Sequence, residues 1–303
     1  MKVLITGAFG MVGRALMQEL EQAGHELRLM DMNEPDKATV FVPGQHERQL
    51  SPIRTRWPVV KGSILEIETV AKAVQGIDAV IHLAAAVTGL PEYGPDTMHT
   101  NCCGTYIVLD EARKVGVKRV LVASSINAYG CFYWRLSGKP PLYKKMPIDE
   151  TYKVCFEDSY SLSKYVNELT CATFTRAFGI TTAAFRFAGV RGHAQYLEMK
   201  ANMEATTAWS DDLYQWVHVE DVAHGLRQTL EHAKLPATGV YTLGAADTRC
   251  PEPTMEILQK FRPDLAKTVR NPQAGRWPLL SIRTAAKTFG YAPKYKLIPK
   301  DLV

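Results

Sequence analysis

The apolar residues of the first 190 positions fall into short runs that alternate with stretches of helical spacing. Residues 2–6 (KVLIT) form the first apolar run, and residues 11–23 place Met11, Ala15, Leu16 and Leu20 on one helical face. Further runs of strand length lie at 25–31, 57–62, 78–85, 118–125 and 179–187, with helical stretches near 66–75 and 97–115. Strands that alternate with helices predict a parallel sheet covered by helices on both faces.

The periodic pattern weakens after residue 190. A helix near 195–208, a strand followed by a helix in 213–230, a strand at 239–244 and helices near 254–261 and 282–289 are predicted there. We therefore expect an α/β fold, a Rossmann-type doubly wound parallel sheet with a small C-terminal substrate lobe. Residues 1–190 form the sheet domain, to which part of 215–245 returns, and residues 191–303 mainly form the lobe.

Two stretches have no clear period and contain several prolines and glycines. They cover residues 32–56 and 130–158, and both are predicted to be long irregular connections. The second connection is rich in aromatic residues and lysine. Ligands of open α/β sheets bind at the carboxyl edge of the strands, so we expect the small lobe to lie over that edge.

Composition is that of an ordinary globular protein. The chain has 303 residues, 46% hydrophobic and 22% charged, and its net charge of +5 is spread along the sequence without a basic block. These features argue against nucleic-acid binding, and the lack of eighteen consecutive apolar residues argues against a membrane partner. The chain begins directly with a strand and has no signal peptide, which predicts a cytoplasmic protein. Six cysteines without C-x-x-C spacing predict reduced thiols and no metal site.

A glycine-rich turn joins the first strand to the first helix. Gly7, Gly10 and Gly13 in TGAFGMVG allow a tight turn, close approach to a pyrophosphate and packing of the helix on the sheet. Asp31 ends the second strand eighteen residues after Gly13, where a carboxylate can accept hydrogen bonds from an adenosine ribose. Its charge would repel a 2′-phosphate, and no basic residue follows it until Lys37. These features predict NAD as the cofactor in preference to NADP.

A Tyr-x-x-x-Lys pair begins the predicted helix after residue 158. Tyr160 and Lys164 are four positions apart in YSLSK and share one helical face. A phenol with a pKa of about 10 needs a neighbouring cation to act as a base near neutrality. Lys164 and an oxidised nicotinamide ring would each provide positive charge. Tyr160 would then take the proton of a substrate hydroxyl, and Ser125 at the end of the fifth predicted strand would hold the substrate oxygen.

At this point the chain resembles the extended short-chain dehydrogenase/reductase family, specifically its NAD-dependent epimerase/dehydratase branch. The resemblance extends from Met1 to about residue 230. It rests on TGAFGMVG, Asp31, HLAA (82–85), Asn101, SSINAYG, YSLSK, Arg186 in FRFAGVRG, and WVHVEDVA.

The resemblance implies a set of site residues. Ser125, Tyr160 and Lys164 match the catalytic trio, and Lys164 also matches the residue that holds the nicotinamide ribose. Asn101 matches a helix residue that supports the active-site architecture, and Ser63 stands where the family usually has an acid. The positions that match the family's dinucleotide site are Gly7, Gly10, Met11, Val12, Gly13, Asp31, Ser63, Ile64, Leu83, Ala84, Ala86, Asn101, Tyr160, Lys164, Phe187 and Val190.

Departures from the family pattern bear on the reaction. Ile126 and Asn127 stand where the dehydratases have an Asp-Glu pair, which disfavours dehydration. Gly189 stands where nucleotide-sugar epimerases typically have Asn, and the short stretch from 191 to 216 leaves little room for a UDP-sized group. A sugar, sugar acid or similar small polyol fits better.

The candidate substrate contacts are Asn127, Arg186 and His193, with the aromatic residues Tyr133 and Trp134. Each has a competing interpretation. Arg186 is equally suited to a structural ion pair, His193 to a solvated position, and Trp134 to covering apolar surface.

Three functions are compatible with these residues. The first is a dehydrogenase that releases NADH, the second an epimerase of sugars or nucleotide sugars that retains its NAD, and the third a non-catalytic protein that senses the dinucleotide. The intact trio argues against the third. The resemblance also implies a homodimer through helices near 97–115 and 159–178, although Val166, Leu169 and Phe174 could equally face their own sheet.

Overall fold

The structure is a computed structural model that describes residues 1–36, 39–40, 48–49, 51–130 and 132–297. Its strands are β1 Lys2–Thr6, β2 Glu26–Asp31, β3 Thr39–Val40, β4 Arg48–Gln49, β5 Val59–Lys61, β6 Ala79–His82, β7 Arg119–Ser125, β8 Thr181–Phe187, β9 Val190–Arg191, β10 Val217–His218 and β11 Thr238–Leu243. Its α-helices are α1 Met11–Gln22, α2 Ile67–Ala73, α3 Gly94–Met98, α4 Gly104–Lys114, α5 Ser159–Phe178, α6 His193–Ala201, α7 Val219–Glu231, α8 Thr254–Phe261, α9 Pro263–Ala266 and α10 Arg283–Phe289.

Seven of these strands form one parallel sheet in the order β11-β8-β7-β6-β1-β2-β5. The order reverses direction between β1 and β6, and this crevice at the carboxyl edge is where open α/β sheets bind ligands. The prediction of a Rossmann-type α/β fold is confirmed. Two short pairs complete the strands, β9 with β10 in parallel and β3 with β4 in antiparallel orientation.

The sheet separates two apolar cores because successive side chains of a strand point to opposite faces. In β1, Val3 and Ile5 face one core, which continues into the C-terminal lobe, and Leu4 faces the other. All three side chains are fully buried. Burial on both faces explains why the strands read as continuous apolar runs in the sequence.

The helix predicted near 97–115 is the main point where the local structure differs from the prediction. Helix α3 starts earlier, at Gly94, and a π-helical turn, His99–Cys103, separates it from α4. A π turn inserts a residue into the helix and re-aims its side chains. Here it places Asn101 in the interior, 1% exposed.

The two irregular connections also contain some local order. β3 and β4 lie inside the stretch 32–56, and residues 37–38, 41–47 and 50 of that stretch, including Lys37, lie outside the described residues. The stretch 130–158 contains no helix or strand among its described residues. Among the described ranges, no helix is long and apolar enough to span a lipid bilayer.

Candidate active site

The glycine-rich turn lies at the carboxyl end of β1. Gly7 has φ +66°, and a Cβ there would lie 2.7 Å from the backbone nitrogen of Ala84. Only glycine adopts this conformation at such a close approach without strain. A Cβ on Gly13 would lie 2.4 Å from the Gly7 carbonyl oxygen, so the first turn of α1 packs directly on the loop. No side chain caps α1 at Gly10, which leaves its N-terminal amide groups available to an anion.

Asp31 lies beside this turn at the end of β2. Its Oδ2 accepts a hydrogen bond from the Phe9 amide at 3.0 Å, and its Oδ1 accepts one from the Asn33 amide at 3.0 Å. The carboxylate is thereby fixed at the carboxyl edge, next to the free helix N-terminus. This arrangement fits the pyrophosphate and adenosine ribose of a dinucleotide.

Arg14 is a neighbour of this site that the sequence analysis did not identify. Its Nε donates to the Phe9 carbonyl oxygen at 2.7 Å. Burial lowers the pKa of its guanidinium, and the nearby charge of Asp31 partly offsets that effect. Nothing in the glycine motif marks this position, so only the packing of α1 against β2 reveals it.

The loop after β6 forms the next wall of the crevice, with Leu83, Ala84 and Ala86 partly buried. Asn101 fixes this loop, because its Oδ1 accepts from the Ala86 amide at 2.8 Å and its Nδ2 donates to the Ala86 carbonyl oxygen at 3.0 Å. The same Nδ2 lies 2.9 Å from the Ser163 hydroxyl. Protein partners therefore occupy the Asn101 amide, which makes it a residue that positions the wall and not a direct contact of the dinucleotide.

The remaining predicted dinucleotide positions lie around the same edge. Met11 and Val12 begin α1, and Ser63 follows β5 with its Oγ accepting from the Leu65 amide at 3.2 Å. The Ile64 side chain packs into the core against Gly104, where an added Cβ would lie 2.4 Å from the Ile64 Cδ1. Any contact from Ile64 to a nucleotide would therefore come from its backbone. Phe187 ends β8 and Val190 begins β9.

Helix α5 brings the predicted trio together. Asp158 caps the helix, with its Oδ1 accepting from the Ser161 amide at 2.8 Å, and Tyr160 and Lys164 follow on one buried face. The Tyr160 hydroxyl interacts with the Ser125 side chain at the end of β7. The Lys164 Nζ lies 5.5 Å from the centre of the Tyr160 ring and donates to the Ala123 carbonyl oxygen at 3.0 Å. The structure thus places all three side chains in one cluster.

Burial dominates the electrostatics of this cluster. Burial raises the pKa of Tyr160 to about 12, and the nearby Asp158 raises it further, while the Ser125 hydroxyl opposes both effects. Burial also lowers the pKa of Lys164 to about 8. Both changes have one cause, since a buried site disfavours the charged form of each group. Desolvation is the largest cause of the shift for both groups.

Of the three predicted substrate contacts, Asn127 lies nearest the trio. Its amide nitrogen donates to the Ser125 Oγ at 3.1 Å, and its side chain is 4% exposed. The Asn127 Oδ1 is buried without a hydrogen-bond partner among the described residues. An unpaired acceptor beside Ser125 is suited to a hydroxyl of a bound substrate.

Arg186 forms a structural ion pair, which was the alternative to a substrate contact. Its Nε and Nη2 donate to Glu168 at 2.8 and 2.7 Å, and both side chains are almost fully buried. The guanidinium also lies 4.2 Å from the centre of the Tyr129 ring. These contacts connect β8 to α5 and occupy the guanidinium of Arg186. We therefore remove Arg186 from the candidate substrate contacts. Nothing in the sequence marked Glu168 as the partner of Arg186.

His193 is exposed at the start of α6. Its ring centre is 5.6 Å from that of His218, which stacks on Tyr295 at 3.5 Å. Trp134 has a closer relation to the chemistry, because its ring packs edge-on against Tyr160 at 5.4 Å. Trp134 adopts a positive φ of 50°, and a Cβ on Gly89 would lie 2.6 Å from its ring. This indole therefore covers the Tyr160 ring.

Comparison with known proteins decides the family. A profile of the NAD dependent epimerase/dehydratase family matches residues 3–244. The chain belongs to this family. The prediction made from its motifs is confirmed, and the protein is an NAD-dependent enzyme whose glycine turn and Asp31 fit that cofactor.

Individual relatives are more distant. A uronate dehydrogenase of Pseudomonas syringae pv. tomato is 26% identical over 249 residues, covering 82% of this chain and 75% of the relative. A short-chain dehydrogenase/reductase superfamily protein from Agrobacterium tumefaciens with bound NAD has a TM-score of 0.68 at 20% identity, covering 98% and 94% of the two chains. A UDP-glucose 4-epimerase from Thermotoga maritima has a TM-score of 0.69 at 20% identity, covering 98% and 95%. At these identities the two solved structures support the fold alone.

Proposed function

We propose that this enzyme transfers hydride between NAD and a secondary hydroxyl of a small carbohydrate-like substrate, a sugar, sugar acid or similar polyol. The observation that carries the proposal is the buried cluster in which the Tyr160 hydroxyl meets Ser125 beside Lys164. A carbohydrate substrate is supported by the uronate dehydrogenase among the relatives. We also keep a cytoplasmic location as part of this proposal.

Each member of the cluster has a separate task. Ser125 and Tyr160 hold the reacting hydroxyl between them, and the unpaired Asn127 Oδ1 accepts a hydrogen bond from a second hydroxyl. Tyr160 takes the proton from the reacting oxygen as its carbon loses hydride, which leaves a carbonyl group. NAD held at the glycine turn and Asp31 would supply the two-electron acceptor for that hydride. Lys164 holds the positive charge that favours the tyrosine anion.

A dehydrogenase that releases NADH is favoured over an epimerase that retains its cofactor. Ile126 and Asn127 do not provide the acid pair of an elimination, and Gly189 does not provide the side-chain amide typical of nucleotide-sugar epimerases. The uronate dehydrogenase relative covers most of the chain. An epimerase remains the second candidate, because the chain belongs to the NAD dependent epimerase/dehydratase family.

Purified enzyme separates these possibilities. A dehydrogenase should form NADH from added NAD in a screen of sugars and sugar acids, whereas an epimerase should carry bound dinucleotide and convert its substrate without net NADH. Tyr160→Phe should abolish turnover in either case. Tyr165→Phe is the matched control, since it removes a hydroxyl from the same helix outside the cluster. Full activity of Tyr160→Phe would refute the assignment of the base, and NAD binding without any turnover would indicate a sensor.

We further propose a homodimer through the outer faces of α4 and α5. Tyr106 on α4 and Leu169 on α5 are 54% and 52% exposed, so large apolar side chains are available on both helices. Phe174 does not contribute, because it is 1% exposed and packs within its own subunit. Light scattering should give twice the mass of one chain, and Leu169→Glu should give monomers. A monomeric wild-type protein would end this part of the proposal.

A further inference from the structure

A cluster of hydrogen-bond donors lies just beyond the catalytic trio, around Gly189. Ser125 at the end of β7 is in register with Phe187 at the end of β8, and Gly189 follows two residues later. A Cβ built on Gly189 would lie 3.4 Å from the Gln215 Nε2 and 3.5 Å from the Arg191 Nη2. The Gln215 Oε1 lies at the same distance of 3.4 Å, so the amide of Gln215 and the guanidinium of Arg191, from two different segments, border one point that the glycine leaves empty.

Gln215 has a fixed orientation in this cluster. Its Oε1 accepts a hydrogen bond from the Gly189 amide, which determines which end of the side chain is oxygen. The Nε2 is buried without an acceptor within hydrogen-bonding geometry among the described residues, and the residue is 5% exposed. Buried polar groups of native proteins are rarely left unpaired. The Gln215 side chain interacts with the Tyr133 hydroxyl. The amide and this hydroxyl together present donors that an acceptor on a ligand could complete.

Arg191 supplies positive charge at the same point. The side chain is half-buried, and within the part of the chain that the structure describes it forms no ion pair with a carboxylate. The contact of its guanidinium with protein is a long one, from Nη1 to the Val190 carbonyl oxygen at 3.4 Å. The neighbouring acid, Asp212, is bound at both oxygens by Arg249, at 2.6 and 2.8 Å. The charge of Arg191 is therefore left for another partner.

Tyr133 connects this cluster to the catalytic residues. Burial raises the pKa of its hydroxyl, with Asp212 acting in the same direction, and Arg191 is among the groups that oppose this. Its ring centre lies 6.1 Å from that of Trp134, which in turn lies 5.4 Å from that of Tyr160. The Trp134 indole thus contacts both the Tyr133 ring and the Tyr160 ring, which connects the donor cluster to the catalytic phenol.

We propose that Arg191 and Gln215, assisted by the Tyr133 hydroxyl, bind a carboxylate of the substrate, so that the enzyme acts on sugar acids in preference to neutral sugars. This inference rests on the proposed function, because it uses the same crevice. A guanidinium and an amide present several N–H donors to one anion, and hydrogen bonds between charged groups are the strongest of their kind. A neutral hydroxyl would satisfy one donor and leave the arginine charge without a counterion.

The test compares matched substrates and matched variants. NADH formation is measured for galacturonate against galactose, for glucuronate against glucose, and for glucose 6-phosphate as an alternative anion. Wild-type enzyme should have a higher kcat/KM for the acids. Arg191→Met keeps the aliphatic stem, and it should raise KM for the acids about 10- to 100-fold with little change in kcat. Arg191→Lys should recover part of this loss. Arg176→Met, an exposed arginine on α5, should leave KM unchanged.

A binding measurement keeps this inference separate from the proposed function. Calorimetry on NAD-saturated Tyr160→Phe measures affinity for galacturonate and glucuronate without turnover. Arg191→Met in that background should weaken binding, and Gly189→Ala, which fills the empty point, should also do so. Acid binding that depends on Arg191 without any turnover in wild type would support the subsite and refute the proposed chemistry. Equal kcat/KM for acids and neutral sugars, or a preference for the sugar phosphate, would overturn the carboxylate assignment while leaving the chemistry intact.

Discussion

The ionisation of Tyr160 gives the sharpest test of the chemistry. Burial raises the pKa of this phenol to about 12 in the protein without cofactor. A base that works near neutrality needs a pKa about 5 units lower, which corresponds to about 7 kcal/mol of added stabilisation for the anion. The structure allows the available contributions to be compared with that requirement.

Lys164 supplies only part of the stabilisation that the Tyr160 anion requires. With a pKa of about 8, this lysine is already neutral when a phenol titrates at about 12, so it contributes nothing in the free protein. Once the pKa of Tyr160 falls below that of Lys164, a cation 5.5 Å from the ring centre contributes about 3 kcal/mol at an effective dielectric constant of about 20. This equals about 2 units of pKa, and the remainder must come from the charge of the oxidised cofactor.

We therefore expect the pKa of Tyr160 to fall by at least about 3 units when NAD⁺ binds, and to stay near its high value with NADH, which lacks the positive ring charge. In Lys164→Met saturated with NAD⁺, the pKa should lie about 2 units above that of wild type. Tyrosine labelled with ¹³C at Cζ reports ionisation by NMR, with Tyr160→Phe identifying the signal. An equal pKa with NAD⁺ and NADH would refute this account of how the base is generated.

Two further predictions concern stability, and a third concerns the affinity for NAD. Burial lowers the pKa of Lys164 to about 8. Below that pH the buried charge destabilises the folded state by about 3 kcal/mol. This penalty disappears as the pH rises through the pKa that Lys164 has in the unfolded chain. In urea unfolding, Lys164→Met should be more stable than wild type at neutral pH and lose this advantage in alkali; a gain that persists there would contradict the reasoning. Glu168→Gln should cost about 3–5 kcal/mol because it leaves Arg186 buried and unpaired, whereas Glu168→Leu combined with Arg186→Met should recover most of the loss by the same assay. Gly7→Ala should weaken NAD binding at least about 10-fold in calorimetry, since its Cβ would overlap backbone. Gly24→Ala, also at positive φ but with open space around it, is the control, and equal affinities would refute the role of the turn.

The sequence by itself determined the elements and the positions of the main chemical groups. The strands are short apolar runs because both faces of the sheet are buried, and that pattern is visible along the chain. The sequence also predicted Gly7, Asp31, Tyr160 and Lys164 as site residues, since each occupies a fixed place relative to a strand end or a helix start. Signals of this kind depend on neighbours within a few residues.

Only the tertiary structure decided which side chains are already occupied and which are free. Arg186 is neutralised by Glu168 from another element, while Arg191, five residues further along the same segment, has no such partner among the described residues. The opposite pKa changes of Tyr160 and Lys164 likewise depend on how deeply both are buried. Burial and pairing arise from contacts between segments distant in sequence, so no local pattern could reveal them.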